Sequence, residues 1–341
     1  MKILIQIITL CGLLLASVQA AEVPVEAVKA ATGATSPAAA KAPTRPADAL
    51  DRDAVCTRCH DETDNKPILT IYQTPHGNRA DVNAPSCQSC HGESEKHLKG
   101  DPSQKGRAAP DFVFAEHSTS YEASPADARN GQCMTCHQSG LRTHWSGSQH
   151  QSQGVACNSC HKVHIPKDPV LERSSQPEVC FTCHKTQRSE IHLFSTHPIL
   201  AGKTACSECH NPHGSIGPKM LAKASTNETC YTCHAEKRGP FLWEHSPVFD
   251  DCANCHTPHG SNNPPLLKQR VPWLCQECHT ADHANTANSG ANLLGGDVTT
   301  IDGQQPLANR APRAQANGQA CLSCHSMIHG SNHPAGAKFN R

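Results

Sequence analysis

Twenty of the 21 cysteines in this 341-residue chain fall into ten C-x-x-C pairs, and each pair is followed at once by histidine. The units are Cys56-Cys59-His60, Cys87-Cys90-His91, Cys133-Cys136-His137, Cys157-Cys160-His161 and Cys180-Cys183-His184. They continue as Cys206-Cys209-His210, Cys230-Cys233-His234, Cys252-Cys255-His256, Cys275-Cys278-His279 and Cys321-Cys324-His325. C-x-x-C-H is the attachment signature of c-type haem. On a helical turn, residues i, i+3 and i+4 share a face. Two thiols can therefore add to the two vinyl groups of one haem while the histidine reaches its iron from the same side. Zinc ribbons and thiol oxidoreductases also use C-x-x-C, but neither chemistry demands a histidine after every pair. An even cysteine count in an exported chain would otherwise read as a disulfide framework; the spacing argues against it. Ten covalently bound c-type haems are expected.

Composition says why the chain needs them. Aromatic residues make up 4% of the sequence and the whole apolar class 37%, too little for a conventional core at this length. Thirty basic residues balance 30 acidic ones, which separates the chain from ordinary disordered sequences and removes any argument for a nucleic-acid partner. The cofactor must supply the core. Frequent Pro and Gly keep the elements short. The expected fold is a multihaem cytochrome c, mostly irregular with short α-helices, little or no sheet, and an extended haem-wire architecture. Ser175-Gln176-Pro177-Glu178 and Ser225-Thr226-Asn227-Glu228 match the capping-box pattern ahead of a motif. Ser124-Pro125 places Pro at a first helical position ahead of Asp127.

The apolar run Ile3 to Val18 after Met1-Lys2, with Val18-Gln19-Ala20 as the cleavage site, reads as a signal peptide over residues 1–20. The run is shorter than the roughly 20 residues a spanning helix needs, and Cys11 leaves with it. Residues 21–51 are an Ala/Pro-rich flexible linker. The split of five motifs on each side of residue 190 divides the rest into an N-terminal pentahaem module, 52–190, and a C-terminal one, 191–341.

Haem iron takes two axial ligands, so ten irons need ten donors beyond the proximal His60, His91, His137, His161, His184, His210, His234, His256, His279 and His325. Fourteen histidines lie outside the motifs. Met134 sits inside a motif, and Met220 and Met327 are poor alternatives, so the expected set is bis-histidinyl and low in potential. A filled sixth position leaves substrate nowhere to bind, which points to an electron-transfer protein and not an enzyme. Internal repetition sorts the histidines. A unit of roughly 45 to 50 residues runs His150…Cys157-His161-His164…Cys180, then His197…Cys206-His210-His213…Cys230, then His245…Cys252-His256-His259…Cys275. A looser copy starts at His76, with His97 in the second position. The distal candidates are therefore His76, His97, His150, His164, His197, His213, His245, His259, His283 and His329, with His333 competing with His329. His117, His144 and His192 break the repeat and are expected at the surface. Which distal histidine belongs to which iron is not legible.

Several stretches resemble the periplasmic decahaem cytochromes of the MtrA/MtoA/PioA/DmsE family. They are Cys157–His164 with Lys167-Asp168-Pro169-Val170-Leu171, Asn211-Pro212-His213-Gly214-Ser215, and Cys230-Tyr231 through Pro240. Leu242-Trp243-Glu244-His245 and His329-Gly330-Ser331-Asn332-His333-Pro334 complete them. The likeness covers roughly Ala54 to Arg341 and leaves out the linker. It implies a haem wire seated in an outer-membrane β-barrel porin, passing electrons between the periplasm and the cell exterior. Barrels of about 22 strands can hold a plug, and ten haems in line can bridge the roughly 40–45 Å of a bilayer with its headgroups. The implied partners are that barrel, an inner-membrane or periplasmic cytochrome, and an outer-surface multihaem cytochrome, a metal-oxide mineral or Fe(II). Direction is open, outward to metal oxides or inward from Fe(II). The alternative within the family is a soluble periplasmic donor to an extracellular reductase, such as a DMSO reductase.

Overall fold

A computed structural model describes residues 46–279 and 321–339, apart from short stretches at 62, 64–66, 79–80, 82, 101–102, 104–105, 116–119 and 335. The expected signal peptide, most of the linker, His117 and His283 lie outside the described residues. What is described is a series of short helices and turns. The longest helix is Pro46–Thr57, 12 residues, and the described residues contain isolated β-bridges but no strand. None of their helices is long and apolar enough to cross a membrane. The first helix starts inside the segment expected to be a flexible linker, which was placed up to residue 51. Pro46 suits a first turn, and Ala47-Asp48-Ala49-Leu50 continues without a breaker.

Each attachment motif closes one turn. The histidine N–H donates to the carbonyl of the first cysteine at 3.1 Å in Cys56–His60, 3.0 Å in Cys133–His137 and 2.9 Å in Cys157–His161. The same bond recurs in all five motifs from Cys180 to Cys275 and again at Cys321, while Cys87–His91 is a helix throughout. Single turns of this kind are marginal alone, since nucleation costs more than one bond returns.

Sequence-expected caps meet mixed outcomes. Ser225 Oγ accepts from the Glu228 N–H at 3.1 Å, while the Glu228 carboxylate turns away to Arg238 at 3.0 Å. Ser175 does not cap. Its backbone is already helical (φ −105°, ψ −17°), so its hydroxyl turns back and donates to the Pro169 carbonyl at 2.8 Å. Pro125 stands one residue before the helix Ala126–Met134, in extended backbone.

The side-chain core is as thin as the composition implies. Among the described residues nine hydrophobic side chains are buried, three of them Ala. Their one cluster is Phe181, Ile191 and Ile199.

Buried polar side chains do much of the joining instead. Three residues before an odd-numbered motif, Asp53, Asn130 and Asn227 accept from the N–H of the first cysteine of the next motif. The bonds are Cys87 N–H to Asp53 Oδ1 at 2.9 Å, and Cys157 to Asn130 and Cys252 to Asn227 at 2.7 Å. Gln176, four residues before Cys180, accepts from Ser207 N–H at 3.0 Å. All four are 5–8% exposed. Each satisfies an orphan donor at a helix start and clamps two consecutive motifs together. Asn227 also donates to the Val248 and Phe249 carbonyls at 3.0 and 2.8 Å. Asn227→Leu keeps the volume and strands these three part-buried groups. It is expected to cost about 2–4 kcal/mol of stability in the haem-loaded protein. Guanidinium unfolding followed by circular dichroism measures this; a loss under about 0.5 kcal/mol would mean the clamp is not an energetic joint.

Contacts of the same type run across residue 190. Asn211 donates to the Leu141 carbonyl at 2.8 Å, and Gln176 Nε2 donates to Ser207 Oγ at 3.0 Å.

Candidate haem-binding site

Every described proximal histidine up to His279 has a second imidazole facing it. His60 lies against His97 with ring centres 6.0 Å apart, His137 against His76 at 5.8 Å and His91 against His164 at 6.3 Å. His184 faces His150 at 6.0 Å, His161 faces His213 at 6.1 Å and His234 faces His197 at 6.4 Å. His210 and His259 are 6.1 Å apart, His279 and His245 6.2 Å, and His256 and His329 6.2 Å. A metal–imidazole bond is ~2.0–2.1 Å, so two such bonds in line with their ring radii put the centres roughly 6 Å apart. The spacing in all nine pairs matches a metal held between the rings. No group of three or more His, Cys, Asp or Glu among the described residues is arranged to hold an ion by itself.

The protonation pattern fits as well. Nδ1 of His150, His164, His197 and His245 donates to the carbonyls of Pro212, Ile68, Pro258 and Ile328 at 2.8–3.1 Å. His91, His97, His210 and His256 donate to Phe112, Ala108, Lys219 and Pro265 at 2.7–3.1 Å, and His325 to Lys338 at 2.5 Å. A carbonyl only accepts, so the hydrogen sits on Nδ1 and Nε2 keeps its lone pair for a metal. His161 and His259 donate instead to carboxylates, Asp168 at 2.7 Å and Glu190 at 3.1 Å. Burial holds His91, His210 and His256 below the usual imidazole range, and pushes His213 down to about 4. Loss of water disfavours the cation, leaving the neutral ring that ligates.

The pairs interleave. In each repeat the leading histidine faces the second motif of its own copy: His76 with His137, His150 with His184, His197 with His234 and His245 with His279. The histidine just after the first motif reaches back to the preceding copy: His164 to His91, His213 to His161 and His259 to His210. His329 reaches His256 in the same way. Gly214 (φ +102°) and Gly260 follow two of these backward histidines, and a Cβ on them would run into the carbonyls of His144 and Glu190. Glycine is what lets the two copies close up.

Consecutive motifs are spatial neighbours. The first thiols of motifs one and two, Cys56 and Cys87, are within hydrogen-bonding reach. So are Cys133 and Cys157, Cys180 and Cys206, Cys230 and Cys252, and Cys275 and Cys321. At the alternate junctions the second cysteine of one motif approaches the next: Cys90 to Cys133, Cys160 to Cys180, Cys209 to Cys233 and Cys255 to Cys278. None of the described motif cysteines is in a disulfide.

His144, His192 and His333 are exposed; His333 contributes backbone bonds to Ser331 and Trp243. His283, the remaining candidate, lies outside the described residues. The clamps Asp53, Asn130, Gln176 and Asn227 and the carboxylates Asp168 and Glu190 were not singled out from the sequence. A polar residue three or four positions ahead of an odd-numbered motif was the available signal.

Residues 197–239 and 245–284 match the family model described as doubled CXXCH motif, and residues 87–176 match cytochrome c-type protein NrfB-like. The chain is 42% identical to the multiheme cytochrome MtrA of Shewanella baltica over 291 residues, 84% of this chain and 80% of the relative. It is 29% identical to the cytochrome c-type protein NrfB of Escherichia coli over 40% of this chain and 68% of that protein. Against NrfB of Haemophilus influenzae the identity is 26%, over 40% and 67%.

Proposed function

The chain belongs to the MtrA family of multihaem c-type cytochromes, and on that footing we propose that it conducts electrons between the periplasm and the cell exterior inside an outer-membrane porin–cytochrome complex. Electron transfer through covalently bound c-type haems is what the family and the motifs carry. The haems, when bound, supply reversible one-electron iron chemistry. The polypeptide attaches, ligates and spaces them.

We assign the axial ligands of nine irons as the nine facing pairs; His283, the remaining distal candidate, lies outside the described residues. Each proximal histidine holds one side, and its partner closes the other from a different part of the chain. With both sides taken, none of these nine irons is open to substrate, which favours a conductor over a catalyst.

The observation that carries the reading is order. Consecutive motifs lie near one another from the first to the tenth, their cysteines alternately within hydrogen-bonding reach and close enough to interact electrostatically. A store of electrons needs no such order; a path from one end of the sequence to the other does. The export signal expected at residues 1–20 puts the chain in the periplasm, and in the proposed complex the barrel would carry it across the outer membrane. Mineral oxides, Fe(II) or a surface cytochrome on one side and a periplasmic or inner-membrane cytochrome on the other are its redox partners.

Reconstitution tests this. The haem-loaded protein and its candidate barrel are placed together in liposomes holding an internal redox dye, with reductant or Fe(II) outside. The dye is expected to respond only when both proteins are present. A cytochrome that never enters a barrel and moves no electrons across would instead be a soluble periplasmic donor.

A further inference from the structure

Two of the facing histidines differ from the rest in what they donate to. His161 Nδ1 donates to Asp168 Oδ2 at 2.7 Å and His259 Nδ1 to Glu190 Oε2 at 3.1 Å, where the others with a described hydrogen bond donate to neutral carbonyls and His234 Nδ1 stands 3.9 Å from Glu236 Oε1, beyond hydrogen-bonding reach. Asp168 is held in place from its other oxygen, which accepts from the Lys162 and Val170 N–H groups at 3.2 and 3.3 Å. Its side chain is only 14% exposed. Glu190 closes the helix Lys185–Glu190, and its own carbonyl abuts Gly260, beside His259. The preceding copy provides an internal comparison: His144 stands at the matching contact against Gly214, and His213 Nδ1 is buried there without a hydrogen-bond partner.

We propose that Asp168 and Glu190 are positioning residues that hold the irons of the fourth and sixth motifs, Cys157–His161 and Cys206–His210, at lower potential than their neighbours. The inference rests on the axial assignment above, in which His161 and His259 ligate those two irons. A carboxylate accepting from Nδ1–H raises the electron density at Nε2 and makes the imidazole a stronger donor. A stronger donor favours the oxidised iron, and hydrogen bonding around the ligands is one of the levers that set haem potential. The proton stays on Nδ1 throughout, so no proton accompanies the electron. Asp168 should have the larger effect. Its bond is shorter, in the range of strong charge-assisted bonds, and its carboxylate is less exposed than that of Glu190, at 14% against 35%.

The test is a spectroelectrochemical titration of the purified haem-loaded protein. Asp168→Asn keeps the shape and an accepting oxygen but removes the charge. At a fixed potential within its transition, the reduced-to-oxidised ratio of one haem in ten is expected to rise roughly tenfold, equal to about 59 mV for a one-electron couple. Glu190→Gln is expected to move a different haem in the same direction by less, Asp168→Glu to restore most of the parent curve, and Glu95→Gln, on a surface pair with Lys99, to change nothing. Low-spin absorption should persist in all four. Titrations of Asp168→Asn and Glu190→Gln that superimpose on the parent overturn the proposal. His259→Ala separates this from the ligand assignment. If it yields a high-spin haem while Glu190→Gln leaves the potentials unmoved, the carboxylate effect alone fails. If it leaves every haem low-spin, the assignment of His259 fails first.

Discussion

Changing all twenty motif cysteines to serine, so that no haem is attached, is expected to leave a chain without a folded state. Far-UV circular dichroism should lose its helical signal and calorimetry should record no cooperative transition. The reason lies in what is buried. Fixing one backbone residue costs about 1–2 kcal/mol, and a buried aliphatic side chain returns about 1.5–3 kcal/mol. This chain has six buried hydrophobic residues larger than Ala among those described. Most of its described helices are one or two turns long, its clamps are polar side chains that need water excluded around them, and its histidine pairs face one another across a gap of metal size. Haem supplies the missing apolar surface and two bonds per iron. Retention of native-like structure in the serine variant would mean that the polypeptide is self-sufficient, against the composition.

Opening one iron should have the next largest effect, and on one haem alone. His150 faces His184 at 6.0 Å, and its Nδ1 is tied to the Pro212 carbonyl. His150→Ala is expected to convert one haem in ten to the high-spin form, visible by absorption and electron paramagnetic resonance, and able to bind carbon monoxide after reduction. His150→Met is expected to keep that haem low-spin and raise its potential by a sizeable part of the ~0.8 V that axial ligand choice spans. His144→Ala and His192→Ala, at exposed positions, should leave every haem as it is. A high-spin signal from His144→Ala, or none from His150→Ala, would redistribute the ligands.

The attachment motifs are legible because one covalent reaction dictates five consecutive residues, and the helical turn it needs is the turn the backbone adopts at each motif. The repeat also singles out the histidines that face the motifs, since His150, His197 and His245 stand seven to nine residues ahead of one, His76 eleven ahead, and His164, His213 and His259 three residues after one. Their pairing is not legible. A backward reach such as His213 to His161 depends on two copies closing through Gly214, and spacing within one copy says nothing about contact between copies. The absence of strands among the described residues follows from Pro, Gly and polar punctuation. The clamps escaped for a different reason: Asp53, Asn130 and Asn227 look like ordinary polar residues before a helix, and only the fold reveals that each caps the neighbouring motif. Ser175 misled in the opposite sense. It has the right sequence for a cap and the wrong backbone, because the Glu172 carbonyl accepts from the Ser175 and Gln176 N–H groups and the turn so closed already holds Ser175 at helical angles.

The interleaving of forward and backward pairs has a topological consequence. A cut after Lys223, in an exposed stretch between the sixth and seventh motifs, would sever the peptide chain. Two axial pairs would still span the gap, His197 with His234 and His210 with His259. On the proposed axial assignment each would join residues on opposite sides of the break through iron, and covalently held porphyrins could not diffuse away. Bound this way, the protein is closer to a knitted fabric than to a thread: one severed strand leaves the pieces in register, and the current path survives damage that would divide an ordinary polypeptide in two.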